Sequence, residues 1–439
     1  MGDPMDPYDE MDERKETGPD LPASFYETQE EKGAREKRLW RKGFRKGTLL
    51  GIVFVLVVEA AVLYLPSLLS GGSASLSTAS VLDSETEQKL GTVLTLLEYY
   101  YYEGDEISVE DLQDGIFSGL VDAVGDTYTV YYTAEEMENQ TISSSGSYSG
   151  IGAAITQEAD TGWPMIYYTY TDSPAEEAGL QTGDLILQVD DMEVTSDTST
   201  SDVASAIRGE EGTSVHVVVS RDGEEIGFDI VRADIETPTV ESQMLTDEVG
   251  YIYIVQFSSN TGEQFAAAYE ALLEEGMTSL VIDLRYNGGG TVSSCVEIMD
   301  YILPEGVTLT MTDAQGEVDA EYTSDAEQYI DLPIALLVNG STASASEIVT
   351  AALQDYDYAV IIGTTTYGKG VYQQIYTLDD GSGVKVTAGM FYSPLGNNYN
   401  GVGIEPDIVL EYENTAGDDA SYSVETDNQI LKAIEVLTE

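Results

Sequence analysis

Two pieces of one stretch, Leu337-Val-Asn-Gly-Ser-Thr-Ala-Ser-Ala-Ser-Glu-Ile348 and Tyr367-Gly-Lys-Gly-Val-Tyr-Gln-Gln374, decide how the second half of the chain folds. An apolar strand (Pro333 to Val338) runs into the small-residue series Ser341 to Ser346, and a helix follows over Glu347 to Leu353. Serines on such a strand-to-helix turn lie beside a helix N-terminus, whose N–H groups favour negative charge developing nearby. Lys369 stands between Gly368 and Gly370, which permit a tight turn and a close approach to a neighbour. The pairing reads as a serine nucleophile with a lysine as its base.

Composition supports this by elimination. The only histidine of the 439 residues, His216, falls in an alternating run, Val215 to Val219, that reads as a strand, so a Ser-His-Asp triad is not expected. Beyond Lys46 the lysines are Lys89, Lys369, Lys385 and Lys432. A lysine base must be neutral, so burial has to pull its pKa down from about 10.4. It must do so against the acidic field of a chain with formal charge −62. The single cysteine, Cys295, excludes an internal disulfide and reads as a small buried residue of a helix over Val292 to Leu303.

Residues 1–34 are polar, acidic and without apolar period, and read as a disordered tail. A basic cluster from Arg35 to Lys46 precedes the apolar run Leu49 to Leu65. Its length suits a bilayer, and the basic flank places the N-terminus in the cytoplasm. Glu59 opposes insertion by roughly 2.5–3.5 kcal/mol. A cleaved signal peptide with Leu49 to Val58 as its apolar core is the alternative, disfavoured by the long polar segment ahead of it. The expected layout is a cytoplasmic tail at 1–46, a membrane helix at 47–69 and a Gly/Ser-rich linker at 70–81. A helical segment follows at 82–145. The acidic remainder repels nucleic acid, and runs such as Asp313 to Glu321 lack the spacing of a calcium loop, so no metal or cofactor is expected.

From Ser147 the period changes to two, and the Ser173-Pro-Ala-Glu-Glu-Ala-Gly-Leu180 segment supplies a short helix among strands. After Thr237-Pro238, strands and helices alternate: Tyr251 to Gln256, a helix over Gln264 to Glu274, then Leu280 to Leu284 and further strands. This predicts an α/β core. The loop Asp283-Leu-Arg-Tyr-Asn-Gly-Gly-Gly290 leaves a strand and opens a helix, so its N–H groups converge on an anion.

The runs Ser341 to Glu347 and Gly368 to Gln373 together resemble the C-terminal processing peptidases, or tail-specific proteases, which use a Ser-Lys dyad. The resemblance extends from about Leu82 to the C-terminus. It implies a crotonase/Clp-protease-like peptidase core at 236–439 with an inserted PDZ domain at 146–235. It makes Ser344 the nucleophile, Lys369 the base and Gln373 the residue that orients it. It also implies an oxyanion hole from Ala345 with Gly289 or Gly290, although a glycine, Gly288, stands where the family usually has proline. Ser149, Gly150, Ile151 and Gly152 would form the loop that receives a substrate carboxylate, a task suited to successive N–H groups beside a sheet edge. The motif Gly403-Ile-Glu-Pro-Asp407 resembles the family's closing signature and reads as a structural turn.

The expectation is a membrane-anchored, outward-facing serine endopeptidase acting on proteins with accessible C-terminal tails. Family members often assemble, which allows a homo-oligomer. The alternative is a catalytically silent, membrane-tethered PDZ adaptor on a peptidase scaffold.

Overall fold

The protein is described from a computed structural model, covering residues 77–438 apart from 103–106, 326, 328 and 418–422. The tail expected at 1–46, the membrane helix at 47–69 and most of the linker at 70–81 lie outside the described residues. Among the described residues no helix is long and apolar enough to cross a membrane.

The chain divides into two units, at residues 1–108 and 109–439. The first contains α1 (Thr78–Val81) and α2 (Ser84–Tyr100). Asp83 starts α2 by accepting the Thr86 N–H at 2.8 Å.

The second unit opens with α3 (Val109–Asp122), β1 (Val130–Tyr132) and α4 (Ala134–Ser145). Thr133 and Glu136 form a reciprocal capping box at the start of α4, and Gly146 ends it. The segment read as helical thus also holds a strand, and β1 pairs with a strand more than 250 residues away, with Val130 opposite Lys385. Short range gives no sign of that partner.

The chain then leaves through β2 (Ser147–Gly150) and returns through β9 (Ala233–Glu236), which pair with each other. Between them lie β3 (Ala153–Gln157), β4 (Pro164–Thr169), α5 (Pro174–Ala178), β5 (Leu185–Val189), β6 (Met192–Glu193), α6 (Thr200–Ile207), β7 (Ser214–Arg221) and β8 (Glu224–Val231). Their sheet runs β3-β4-β5-β7-β8, with β6 on β5, so β3 is an edge strand. Ile166, Ile186, Val203, Val217 and Val219 fill a core of its own. Ser173 caps α5, Pro174 occupies its first turn and Gly179 terminates it in a left-handed conformation, as the sequence prescribes.

The remainder is β10 (Val240–Met244), β11 (Val249–Ile254), α7 (Thr261–Glu275), β12 (Ser279–Asp283), α8 (Val292–Ile302), β13 (Gly306–Asp313), β14 (Val318–Ser324), β15 (Ile334–Val338), α9 (Ala345–Asp355), β16 (Val360–Gly363), β17 (Val371–Thr377), β18 (Gly383–Tyr392), β19 (Ile408–Val409) and α10 (Asn428–Thr438). One sheet runs β10-β11-β12-β15-β16-β19 and is parallel except for β10. Strands β12 and β15 are buried at every residue, because helices cover both faces. Residues of α7, α8 and α9 pack on one face around Ile252, Ile282 and Leu336. Ile430 and Ala433 of α10 pack on the other against Val281 and Leu337. An antiparallel sheet, β1-β18-β13-β14 with β17 on β18, adds Leu309, Met311, Tyr372 and Phe391 to the first core. The acidic stretch Asp313 to Glu321 is therefore a hairpin of this sheet: Asp313 Oδ1 accepts the N–H groups of Gln315 and Glu317 at its turn. Cys295 lies in α8, fully buried, and burial pushes its thiol pKa upward.

Candidate active site

The carboxyl ends of β12 and β15 place the two loops singled out from sequence side by side. Ser344 occupies the turn between β15 and α9 with φ 58° and ψ −120°, a positive-φ conformation unfavourable to a residue with a Cβ. Such a conformation costs on the order of 1–3 kcal/mol and persists only where its surroundings enforce it. Here they do. Thr342 Oγ1 donates to Leu284 O at 2.8 Å, the Ala343 N–H to Asn287 O at 3.0 Å, and Ser346 Oγ to the same carbonyl at 3.0 Å.

Glu347, fully buried on the first turn of α9, ties this turn to the lysine loop. Its Oε2 accepts the N–H groups of Ser344 at 3.0 Å and Lys369 at 2.8 Å; Oε1 accepts the Gly368 N–H at 2.7 Å and Thr366 Oγ1–H at 2.6 Å. The sequence reading gave Glu347 only the helix N-terminus. Its clasp on residues 19 to 22 positions downstream is a product of the fold. Gly368, at φ 89°, has no room for a side chain: a Cβ would lie 2.8 Å from the N atom of Gly403. That contact packs the closing-signature turn against the lysine loop, and Asp407 Oδ2 secures it further along by accepting the Ile361 N–H at 2.8 Å.

Ser344, Lys369, Gln373 and Gly288 to Gly290 all line one cavity of about 630 Å³. Lys369 is half-buried, and its ammonium nitrogen lies 4.8 Å from the ring centroid of Tyr128. Burial pulls its pKa below the ordinary lysine value, the charge of Lys385 adds to that, and Glu347 and Asp126 oppose it. Burial therefore outweighs the local acids. The Tyr128 hydroxyl, desolvated and beside Tyr367, is pushed up to about 12 and stays protonated. Lys385, on β18, also lines the cavity and donates to Tyr132 Oη at 2.6 Å.

Among the described residues no hydrogen bond joins Ser344 Oγ to Lys369 Nζ in this conformation. Gln373 likewise does not hold Lys369: its Nε2 donates to Thr387 Oγ1 at 3.4 Å, and that hydroxyl donates to Asp126 Oδ2 at 2.6 Å. Asp126, Tyr128 and Lys385 were not singled out from sequence, because each reaches the site through long-range strand pairing.

Asn287, fully buried, shapes the glycine loop. Its Nδ2 donates to Ile254 O at 2.8 Å and its Oδ1 accepts the Gly289 N–H at 2.8 Å. Gly289, at φ 100°, lies so close to the serine turn that a Cβ would come within 2.7 Å of Ser344 Cβ. Its N–H is thus engaged. Phe257 bonds to the carbonyl of Gly289 and the N–H of Thr291, skipping Gly290. Among the described residues the N–H groups of Gly290 and Ala345 have no acceptor.

A second expected site lies between β3 and α6, in a groove of about 510 Å³ lined by Ile151, Ala153, Ile155, Ala204, Ile207 and Arg208. Of the four loop residues expected there, only Ile151 lines it. Gly150 and Gly152 instead let Tyr148 and Ser173 pack against the backbone, where a Cβ would clash. Among the described residues Ser149 Oγ is buried without a hydrogen-bond partner. Helix α4 flanks the groove: Glu135 Oε1 accepts from Ser201 and Ser205, and Arg208 donates to Asn139 Oδ1.

The family model described as peptidase family S41 matches residues 248–410, and that of a PDZ domain matches residues 165–221. The carboxyl-terminal-processing protease of Synechocystis sp. is 34% identical over 298 residues, which span 66% of this chain and 69% of that protein. The carboxy-terminal processing protease CtpA of Bacillus subtilis is 29% identical over 366 residues, 82% of this chain and 77% of that one. A solved photosystem II D1 C-terminal processing protease aligns over 80% of this chain and 91% of its own, at 26% identity and a TM-score of 0.44.

Proposed function

The chain belongs to the carboxyl-terminal processing proteases of peptidase family S41, and from that premise we propose that it is a membrane-anchored endopeptidase using Ser344 and Lys369 as a dyad. It is a serine-type peptidase with a PDZ domain, and protein substrates follow.

Ser344 Oγ attacks the scissile carbonyl carbon as its proton passes to neutral Lys369 Nζ, forming a tetrahedral oxyanion. The N–H groups of Ala345 and Gly290 stabilise that charge, each being worth about 2.7–4 kcal/mol in a site of this kind. The C–N bond then breaks, the ammonium of Lys369 returns its proton to the leaving amine, and water enters by the same route to release the acyl group. The dyad hydrogen bond forms when substrate fills the cavity, as catalytic bonds commonly tighten only in the complex. Gln373 exchanges its long contact with Thr387 for Lys369 in that state. The observation that carries this reading is the Glu347 clasp, which fixes the serine turn and the lysine loop on one cavity where burial lowers the lysine pKa. A silent adaptor would need neither.

The edge strand β3 supports capture of the substrate's C-terminal tail by strand addition, with apolar side chains entering the groove beside α6. The basic cluster before the apolar run Leu49 to Leu65 supports a single span with the catalytic unit outside the cytoplasm.

Ser344→Ala and Lys369→Ala should each abolish cleavage of a protein with an apolar tail while the unfolding transition stays cooperative. Cleavage retained by either variant overturns the dyad.

A further inference from the structure

Apart from the catalytic cavity and the groove beside α6, a pocket of about 410 Å³ lies on the other face of the parallel sheet. Its origin is the shortness of α10, which packs over β12, β15 and β16. Toward β10 and β11 the face is left to Glu241 and Gln243, paired across the strands with Tyr253 and Tyr251. Asp283, Arg285 and Tyr286 close the pocket from the end of β12, and Tyr412 and Asp427 close it from the C-terminal segment.

The charges do not cancel. Arg285 is spent within the wall: Nε and Nη2 donate to Asp283 at 3.0 and 2.6 Å, and Nη1 donates to Asp427 Oδ2 at 2.8 Å and Gln429 Oε1 at 2.7 Å. Glu241, on the exposed rim, has no ion-pair partner among the described residues. Asp283 and Asp427 are committed in turn, to Arg285, to Tyr251 Oη and to the N–H groups of Gln429 and Ile430, which leaves Glu241 as the carboxylate open to a ligand among four tyrosine rings (Tyr251, Tyr253, Tyr286 and Tyr412). An anion would meet surplus negative charge. An apolar group would desolvate Glu241 without compensation. A cation on a long apolar stem satisfies both Glu241 and the ring faces.

Location supplies the source of that cation. Tyr286 lines this pocket and the catalytic cavity alike. It is held at φ 62° with its N–H on Asn339 Oδ1 at 3.1 Å, one residue before the Asn287 that shapes the glycine loop. Residues that follow the carboxyl end of β12 line both cavities, and that is the end at which open α/β sheets bind ligands. We propose that the tyrosine-lined pocket is a specificity subsite that takes a lysine or arginine side chain of the substrate from a residue near the scissile bond. The inference rests on the proteolytic reading.

The test is a peptide series in which each residue flanking the cut is in turn arginine, norleucine or glutamate. At one position arginine should raise kcat/KM about tenfold over norleucine and glutamate should lower it. In Glu241→Gln and in Tyr412→Leu that preference should shrink toward unity, with norleucine peptides cleaved as by the wild type. No position with a cationic preference, or a preference unchanged in both variants, overturns the subsite. Failure of the proteolytic reading looks different: the norleucine peptides would not be cut, or would still be cut by Ser344→Ala. Calorimetry of Ser344→Ala with the arginine and norleucine peptides reads the pocket without turnover, and equal affinities overturn it. Arginine amide alone, added as a competitor, should inhibit the arginine peptide selectively; a free cation binding elsewhere would inhibit all peptides equally and overturn the assignment.

Discussion

Replacing Glu347 with glutamine keeps the side chain's size and removes half its accepting capacity. The carboxylate takes two donors on each oxygen: Ser344 and Lys369 N–H on one, Gly368 N–H and Thr366 hydroxyl on the other. In the amide one oxygen becomes an NH2 that cannot accept, so two buried donors lose their partner in either orientation. At about 1–3 kcal/mol for each unsatisfied buried donor, Glu347→Gln should lose roughly 2–6 kcal/mol of stability. The strained, positive-φ Ser344 then relaxes, and recovering the productive turn costs on the order of 1–3 kcal/mol, or about a 5- to 150-fold fall in kcat. Urea unfolding at constant m-value measures the first quantity, and initial rates at saturating peptide under folding conditions measure the second. Glu347 also raises the Lys369 pKa, so a purely electrostatic role predicts a gain in rate at low pH on its removal. An unchanged or improved kcat with unchanged stability would refute the clasp.

Other outcomes follow from the same geometry. Lys369→Met should be inactive yet more resistant to urea at neutral pH. The sign follows because a lowered folded-state pKa means the unfolded chain binds more protons, so wild-type stability is reduced below the lysine's unfolded value and recovers as pH rises toward it. Lys385→Met removes a repulsion that helps keep Lys369 neutral, so the acidic limb of the kcat/KM profile should move to higher pH, while Lys385→Arg leaves it in place. Arg285→Met strands the buried carboxylates of Asp283 and Asp427, and denaturant titration should show a loss of about 3–5 kcal/mol.

The elements that sequence revealed were those with a short-range cause. The Ser-Pro start and glycine stop of α5, the buried β12 and β15, and the lysine loop between glycines are each written within a few neighbouring residues. What stayed hidden depends on distant partners. Val130 to Tyr132 is a strand only because β18 is there to pair with it, and that pairing brings Lys385 and the Thr387–Asp126 contact into the site. The helix Asn428–Thr438 was not read from sequence, although Gln429, Ile430 and Ala433 are buried at helical spacing. Gly150 and Gly152 look alike on paper, yet in the fold the ring of Tyr148 packs against the first and Ser173 against the second. Nor does a run of glycines reveal that the Asn287 side chain occupies the N–H of Gly289.

Capture of the acyl-enzyme probes the dyad most directly. The protein would be mixed with an activated peptide ester, quenched within its first turnover across a range of pH, and mapped by peptide mass spectrometry. The acyl group should appear on Ser344, at a rate that climbs as Lys369 loses its proton, and should be absent from Lys369→Met. An adduct on another side chain, or acylation of Ser344 indifferent to both pH and the loss of Lys369, would contradict the account.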